Sequence, residues 1–205
     1  MKSQEIYEIL EKKFQDAECE LNFKNNYELI VAVILSAQCT DKRVNMITPK
    51  LFEKYHTIFD LANANLDDVK EIIRPCGFYN NKSKNIVNMA KSVVEKFDGQ
   101  IPENFEDLTK LDGVGRKTAN VVISTAFKKD AIAVDTHVFR VSNRLGLISK
   151  SPFECEMLLQ KSFKKENWSR LHHMLVLFGR YTCTARNPKC ENCELKNYCK
   201  FVNNK

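Results

Sequence analysis

Apolar residues recur at spacings of three and four along almost the whole chain, and this periodicity limits the possible folds more than any other feature. In the first segment, Ile6, Leu10 and Phe14 fall on one face of a helix. Residues 83–98 repeat the pattern, and Gly99 stands where a helix is expected to end. No stretch shows a sustained alternation of period two. The sequence therefore predicts an all-α fold.

Capping signals divide this pattern into separate helices. Asn65 is predicted to cap a short helix, and Ser151 followed by Pro152 predicts the start of another. The apolar run 29–35 suits a buried element and is too short to span a bilayer. Pro49, inside MITPKLFEKY, predicts a break in the helical pattern.

Length and charge set broad limits. A chain of 205 residues makes one large domain or two small ones. Its formal net charge of +6 is spread along the chain, which is compatible with a nucleic-acid partner but is weak support for one. The N-terminal segment has no apolar signal core, and no heptad seam is visible. We therefore expect a cytoplasmic monomer with no membrane association.

The eight cysteines fall into two groups. Four are isolated, and of these Cys39 and Cys155 are predicted to be small buried apolar groups. The other four lie close together near the C-terminus with the spacing C-x6-C-x2-C-x5-C: Cys183, Cys190, Cys193 and Cys199. Four thiolates in so short a segment predict a metal centre, and their spacing suits either zinc or an iron–sulfur cluster.

The segment LTKLDGVGRKTANVVIS predicts a helix, a tight turn and a second helix. Gly113 and Gly115 can adopt positive φ and allow another backbone to approach, so the turn and helix N–H groups can converge on an anion. A plain connection between helices fits the same glycines. Arg116 and Lys117 occupy the positive end of the second helix, where a cation is disfavoured. That position favours a neutral amine, which is a nucleophile.

Several motifs, in the same order along the chain, carry a resemblance to a known family. LxxLxGVGRKTAxxV resembles the helix-hairpin-helix motif of the endonuclease III family of DNA glycosylases. LSAQCTD, GFYNNKSKNI, AVDTHVFRVSNRLG, GRYTC and the cysteine cluster are also similar to segments of that family. The resemblance covers essentially the whole chain.

The resemblance implies the catalytic residues. Lys117 would attack C1′ of a damaged nucleoside and displace the base, and a Schiff base and β-elimination would then cut the strand 3′ to the lesion. The related adenine-mismatch glycosylases, which lack lyase activity, also lack this lysine. Asp135 would assist deprotonation of the nucleophile and stabilise positive charge on the sugar. The same aspartate is predicted to cap the helix that follows it.

The resemblance also implies the residues that bind DNA. Gln38 would fill the hole left by the extruded base, and Phe78 would act as a wedge at a position that is more often aliphatic in the family. A polar residue at a helix end and a core aromatic are the structural alternatives for these two positions. The remaining expected contacts come from the hairpin and from the basic loop between the first two cysteines: Gly113, Val114, Gly115, Arg116, Arg186 and Lys189.

The fold that the resemblance implies has two lobes. A six-helix lobe would span residues 22–132, with the hairpin at about 108–127. The second lobe would join residues 1–21 to 133–205 and bind one [4Fe–4S] cluster through the cysteines of segment 183–199. Lys117 and Asp135 would face each other at the junction.

The implied function is base-excision repair. The substrate would be double-stranded DNA containing damaged bases, chiefly oxidised pyrimidines, or abasic sites. One alternative is a related glycosylase that selects pyrimidine dimers or mispaired thymine. Another is a DNA-binding module without catalysis, whose cysteines hold a structural metal such as zinc. Lys117 and Asp135 favour the enzyme over the module.

Overall fold

The computed structural model describes residues 2–203, and within that range the regular structure is helical, without strands. The predicted all-α fold is confirmed. The helices are α1 (Ser3–Lys13), α2 (Asn26–Leu35), α3 (Asp41–Lys54), α4 (Ile58–Ala62), α5 (Leu66–Ile73), α6 (Tyr79–Phe97), α7 (Phe105–Thr109), α8 (Arg116–Ala126), α9 (Thr136–Arg144), α10 (Pro152–Ser162), α11 (Trp168–Tyr181) and α12 (Lys200–Asn203). Short 3-10 helices lie at Lys165–Asn167 and Lys196–Tyr198.

The chain divides into two compact units. One unit is Glu20–Phe127. The other, which we call the terminal unit, joins the segment ending at Cys19 to the segment beginning at Lys128. The first unit contains seven helices where the resemblance implies six, and two of them, α4 and α7, are only five residues long.

Helix α2 forms the centre of the unit Glu20–Phe127. Every residue of the run 29–35 is at most 3% exposed, as predicted for a buried element. The side chain of Asn25 accepts a hydrogen bond of 2.9 Å from the Glu28 N–H and so begins the helix. Helices α3, α6 and α8 all pack against α2, which explains why α2 is apolar on all sides.

Helix α3 runs through Pro49, so the predicted break at this residue is wrong. A proline inside a helix costs about 3 kcal/mol. Ile47 and Leu51 flank Pro49 and are buried, and burying each side chain contributes about 1.5–3 kcal/mol. Pro49 itself is exposed. Packing on both sides of the proline therefore outweighs its local cost.

The terminal unit has its own hydrophobic core. Ile6 and Leu10 of α1 are fully buried, as their spacing predicts, and they belong to the same apolar cluster as Phe178 of α11. The rings of Phe14 and Phe178 meet edge to face with centroids 6.5 Å apart. Helix α11 also packs against α9, and α9 against α10. Helix α9, which follows Asp135, is thereby held on two sides.

The predicted helix caps are present. The Asn65 side chain accepts from the Asp67 N–H at 2.8 Å, and that of Ser151 accepts from the Glu154 N–H at 3.1 Å. The helix predicted over 83–98 is α6, and it ends with Asp98 and Gly99 in left-handed conformations at φ 50° and 76°. None of the helices within residues 2–203 combines the length and apolar character needed to cross a membrane.

Candidate active site and metal centre

The glycine turn joins α7 to α8. Gly113 has φ +75°, and a Cβ at this position would lie 2.9 Å from Cβ of Asn85, so both the dihedral and the space favour glycine. Gly115 has φ −85° and an extended conformation, so it does not use the positive φ that glycine allows. It is the N-cap of α8, where an extended backbone is usual. Leu111 lies past the end of α7, is buried, and accepts a hydrogen bond of 3.1 Å from the Val114 N–H.

The first turn of α8 begins with Arg116 and Lys117, and both side chains are exposed. Gly115 has no side chain with which to cap the helix, so the N–H groups of the first turn lack the usual capping acceptor. The Arg116 guanidinium lies over the Phe105 ring, 4.9 Å from its centroid. This end of the helix therefore presents an amine and N–H donors on an accessible surface, which is suited to a phosphate or a sugar.

Asp135 caps α9, as the sequence predicts. Its Oδ1 accepts hydrogen bonds of 2.8 Å from the N–H groups of His137 and Val138. Both bonds go to the same oxygen and fix the orientation of the half-buried carboxylate. Asp135 belongs to the terminal unit, whereas Lys117 belongs to the unit Glu20–Phe127.

Gln38 and Phe78 lie on two turns that are close together. Both residues have left-handed backbones, with φ 52° and 58°. A Cβ at Gly77 would lie 3.9 Å from the Gln38 carbonyl oxygen, which places the two turns in contact. Phe78 is 66% exposed, which excludes the core-aromatic alternative. A bulky residue in this conformation is strained, and such strain is typically found at functional sites.

The C-terminal cysteines surround one cavity of the terminal unit. The other lining residues come from α9, α11 and the C-terminal segment and are largely apolar, and they include Val141, Leu145, Phe178 and Leu195. Burial raises the pKa of the Cys193 thiol, and the neighbouring Cys183 and Cys199 add to this effect. Uncharged thiols crowded in this way are stabilised as thiolates when iron binds.

The four thiols form one donor set, because all of them line the same cavity. A [4Fe–4S] cluster uses four cysteines, each on its own iron. Cys183, Cys190, Cys193 and Cys199 fit such a cluster. Cys39, one of the isolated cysteines, is partly exposed, so the burial predicted for it is wrong.

Two arginines that the motif analysis did not single out hold the cysteine segment. Arg140 Nη2 and Nε donate to the carbonyl oxygens of Gly179 and Cys183 at 2.8 and 3.1 Å. Arg144 Nη1 donates to Cys183 Sγ at 3.2 Å and to the Thr184 carbonyl at 2.8 Å. The spacing of four residues on α9 places both arginines on one face and is the only signal in the sequence for this role.

The loop between the first two cysteines is basic and exposed. Arg186 and Lys189 are both exposed, and Lys189 also lines the cysteine cavity. The Thr184 hydroxyl donates to the Arg186 carbonyl at 2.7 Å, and the Lys189 N–H donates to the Thr182 carbonyl at 3.0 Å. The loop is therefore ordered by its own hydrogen bonds, and it exposes two positively charged side chains.

Comparisons with known proteins agree on a single family. Residues 31–165 match the model of the HhH-GPD superfamily of base excision DNA repair proteins. Residues 183–199 match the model of the iron–sulfur binding domain of endonuclease III. The chain is 49% identical to the endonuclease III of Bacillus subtilis over 189 residues, covering 91% of this chain and 86% of that one. It is 43% identical to the Escherichia coli enzyme over 183 residues, covering 89% and 87%.

Solved structures give the same result. A trapped covalent intermediate of endonuclease III with DNA, an estranged-adenine complex, has a TM-score of 0.95 and 45% identity, and the match covers all of this chain and 98% of that one. A thermostable thymine-DNA glycosylase has a TM-score of 0.89 at 22% identity, with coverage of 99% and 97%, and supports the fold alone.

Proposed function

This chain belongs to the endonuclease III family of base-excision DNA repair glycosylases with lyase activity, and on that premise we propose that it excises oxidised pyrimidines from duplex DNA. It also binds a [4Fe–4S] cluster. The observation that carries the residue-level proposal is an exposed lysine, Lys117, in the first turn of the helix that follows the glycine turn. Abasic sites are substrates of the same chemistry, and the protein acts as a monomer.

Lys117 is the proposed nucleophile. Its neutral amine attacks C1′ of the damaged nucleoside and displaces the base, and loss of the ring oxygen from C1′ gives a Schiff base. Abstraction of a C2′ proton then breaks the 3′ C–O bond by β-elimination. The N–H groups of the first turn of α8, next to Gly113 and Gly115, bind a phosphate of the same strand. Val114 and Arg116 belong to this phosphate-binding turn.

Asp135 is the proposed electrostatic partner of the reaction. Its Oδ1 is held by two backbone N–H groups, which leaves Oδ2 to act on the reacting groups. A carboxylate held in this way stabilises positive charge on the sugar as the base departs, and it accepts the proton of the incoming amine.

Gln38 and Phe78 are the proposed agents of base extrusion. Removing a base from the stack costs a few kcal/mol, which groups that enter the duplex can offset. The two residues lie on adjacent turns, and Phe78 exposes most of its ring. Gln38 carries an amide that can form hydrogen bonds with the orphaned base, while the ring of Phe78 stacks on a neighbouring base.

The cluster is proposed to be bound by Cys183, Cys190, Cys193 and Cys199. When bound, it supplies four iron–thiolate bonds that fix the C-terminal segment. Arg140 and Arg144 hold the start of that segment against α9. Arg186 and Lys189 are thereby positioned to bind phosphate.

Borohydride trapping on a duplex with one abasic site tests the proposal, because borohydride reduces a Schiff base to a stable amine. We expect a covalent complex with the wild-type protein and none with Lys117→Ala. Lys110→Ala is the matched control, since Lys110 is an exposed lysine of the same hairpin whose amine pairs with Asp107. The control should trap like wild type.

Trapping by Lys117→Ala at the wild-type level would assign the chemistry to another amine. Binding of the abasic duplex by the wild-type protein without any trapping would contradict lyase chemistry and favour the DNA-binding module.

A further inference from the structure

The segment that leads into Asp135 is buried but not helical. Residues 131–134 lie between α8 and α9, and each of them is at most 8% exposed. A segment outside helices and sheets has no regular backbone hydrogen bonds, yet its buried N–H and C=O groups still need partners. The position of this segment, and of the aspartate that follows it, therefore depends on the groups that bond to its backbone.

His172 of α11 supplies one of these bonds. Its Nδ1 lies 2.8 Å from the carbonyl oxygen of Ala133, two residues before Asp135. A carbonyl oxygen only accepts, so Nδ1 carries a proton and donates it to this bond. His172 is 5% exposed, so water does not compete for the contact. The ring of His173 meets that of His172 edge to face with centroids 4.9 Å apart, which holds the donating ring in its orientation.

The chain after Asp135 is held against the same helix. Arg140 Nη2 donates to the Gly179 carbonyl at 2.8 Å and so ties α9 to α11. A Cβ at Gly179 would lie 2.8 Å from Cβ of His137, so the two helices are in close contact at the first turn of α9. Helix α11 thus fixes the chain on both sides of Asp135, through His172 before it and through Gly179 after it.

The bond from His172 acts on the orientation of the backbone and not only on its burial. An apolar side chain of similar size could fill the same space, but it could not bind the carbonyl oxygen. Because the peptide bond is planar, fixing the Ala133 carbonyl fixes the whole peptide unit between Ala133 and Val134. Only the backbone dihedrals of Val134 and Asp135 then separate this unit from the aspartate side chain.

We propose that His172 is a positioning residue for base excision, and that its hydrogen bond to the Ala133 carbonyl holds the Asp135 carboxylate where it acts on the sugar. His172 is buried, so it acts through the backbone and does not touch DNA. A displacement of about 1 Å at a group that acts on the substrate can lower a rate by about a hundredfold. The effect on the rate rests on the role proposed above for Asp135, whereas the effect on the backbone does not.

Two variants of nearly equal size test the bond. In His172→Asn the amide nitrogen takes the place of the imidazole Nδ1 and can still donate, whereas His172→Leu has no donor. Single-turnover excision of an oxidised pyrimidine is measured with the full-length protein, its cluster bound, at saturating protein. We expect His172→Leu to react at least about tenfold more slowly than wild type, and His172→Asn to stay within about threefold of it.

Two further readouts separate positioning from a general loss of structure. The affinity of His172→Leu for a duplex with one abasic site should stay within about twofold of wild type, because the bond supports the reacting carboxylate and not the binding of DNA. In an Asp135→Asn background, His172→Leu should cause no further fall in the rate, because the carboxylate that it positions is already absent. A damaged fold would weaken binding and lower the rate in both backgrounds.

Two measurements without DNA test the bond itself. Nitrogen-15 NMR of the wild-type protein, with the His172 signals assigned by their absence in His172→Asn, should show a protonated Nδ1. Hydrogen exchange followed by mass spectrometry should show faster exchange over residues 131–138 in His172→Leu than in wild type or His172→Asn. The NMR measurement needs only the wild-type protein and the asparagine variant, so it remains decisive if the leucine variant does not fold.

Several outcomes would overturn the proposal. An unprotonated Nδ1 would show that His172 does not donate to the Ala133 carbonyl. A wild-type rate in His172→Leu, or an equal loss in the leucine and asparagine variants, would show that the bond does not support excision. An equal fall in the Asp135→Asn background would show that the effect does not pass through Asp135. A wild-type protein without excision activity would instead contradict the proposed function, and NMR and hydrogen exchange would still decide whether His172 fixes the segment.

Discussion

Arg144 donates a hydrogen bond of 3.2 Å from Nη1 to Sγ of Cys183, the first cysteine of the C-terminal segment. The same guanidinium bonds the carbonyl oxygens of Thr184 and Ala185 and lies 4.5 Å from the centroid of the Phe201 ring. A planar donor array of this kind cannot be replaced by the single ammonium of lysine. Arg144 thus contacts the sulfur of a proposed cluster ligand, the residues that follow this ligand, and Phe201 beyond the last of the four cysteines.

Arg144→Lys should weaken retention of the cluster. Each charge-assisted hydrogen bond lost costs about 1.5–3 kcal/mol, so we expect the visible iron–thiolate absorbance to decay at least about tenfold faster in the presence of an iron chelator. Arg170→Lys is the control, because Arg170 bonds Glu11 and the Gln15 carbonyl in the same unit, away from the cysteines. Equal decay rates for wild type and Arg144→Lys would remove Arg144 from the support of the cluster.

Asp135→Asn should separate the two roles of this side chain. Asparagine caps helices about as well as aspartate, so the melting temperature should change little. The charge near the reacting sugar is lost, and the single-turnover rate should fall by about a hundredfold or more while DNA affinity stays near wild type. Ser151→Asn, at another N-cap of the terminal unit, is the control and should leave the rate unchanged. Full activity in Asp135→Asn would leave capping as the only role of Asp135.

Some features of the fold and the site could be predicted because they depend on neighbours a few residues away. The caps formed by Asn65, Ser151 and Asp135 each involve an N–H group two or three residues further on. The continuation of α3 through Pro49 depends on tertiary packing, which the local rule does not include.

Contacts between distant segments could not be predicted from local patterns. The bond between Arg144 and Cys183 joins positions 39 residues apart, and the approach of Gly77 to the Gln38 carbonyl also depends on the tertiary fold. The sequence supplies the chemical groups in each case, but only the packing of helices brings them together.

Phe78→Gly should increase stability and reduce excision. A left-handed backbone costs a bulky residue about 1–2 kcal/mol, and glycine avoids that cost at an entropic penalty of about 0.5–1 kcal/mol. Phe78 is 66% exposed, so little packing is lost. We therefore expect the free energy of unfolding to rise by about 0.5–1 kcal/mol, with excision falling because the wedge is absent.

Asp98→Gly is the matched control for Phe78→Gly. Asp98 has φ 50° at the other end of the same helix, and its replacement should relieve less strain, because aspartate tolerates this conformation better than phenylalanine, and should not affect excision. Chemical denaturation and single-turnover excision measure the two effects. A Phe78→Gly variant with wild-type excision would contradict the wedge role.

Lys189→Ala should weaken DNA binding in a salt-dependent way. Loss of one phosphate contact reduces the slope of log K against log salt by about 0.9. Lys54→Ala is the control, because the Lys54 ammonium already pairs with Asp68 at 2.7 Å and contributes little free charge. Binding of an undamaged duplex, measured by fluorescence anisotropy at several salt concentrations, gives both slopes. An unchanged slope would exclude Lys189 from the interface.

His173 should make the protein less stable in mild acid. Burial, together with the charges of His172 and Lys128, lowers the pKa of His173 from 6.5 to about 3. Between these values the unfolded chain binds a proton that the folded protein does not, so the free energy of unfolding falls as pH decreases from 6.5 towards 3. The His173 side chain is half-buried, so water weakens the effect of burial on its pKa. We therefore expect the free energy of unfolding to fall by less than about 1.4 kcal/mol per pH unit, which is the maximum for one titrating group.

His173→Gln tests this linkage, because glutamine does not titrate. Urea denaturation at pH 7 and pH 5 should show a smaller loss of stability for His173→Gln than for wild type. His56→Gln, which replaces an exposed histidine of the other unit, should lose as much stability as wild type over the same range. If His173 carries the acid sensitivity, only His173→Gln should lose less stability than wild type between pH 7 and pH 5. An equal loss in wild type, His173→Gln and His56→Gln would assign the acid sensitivity to other groups.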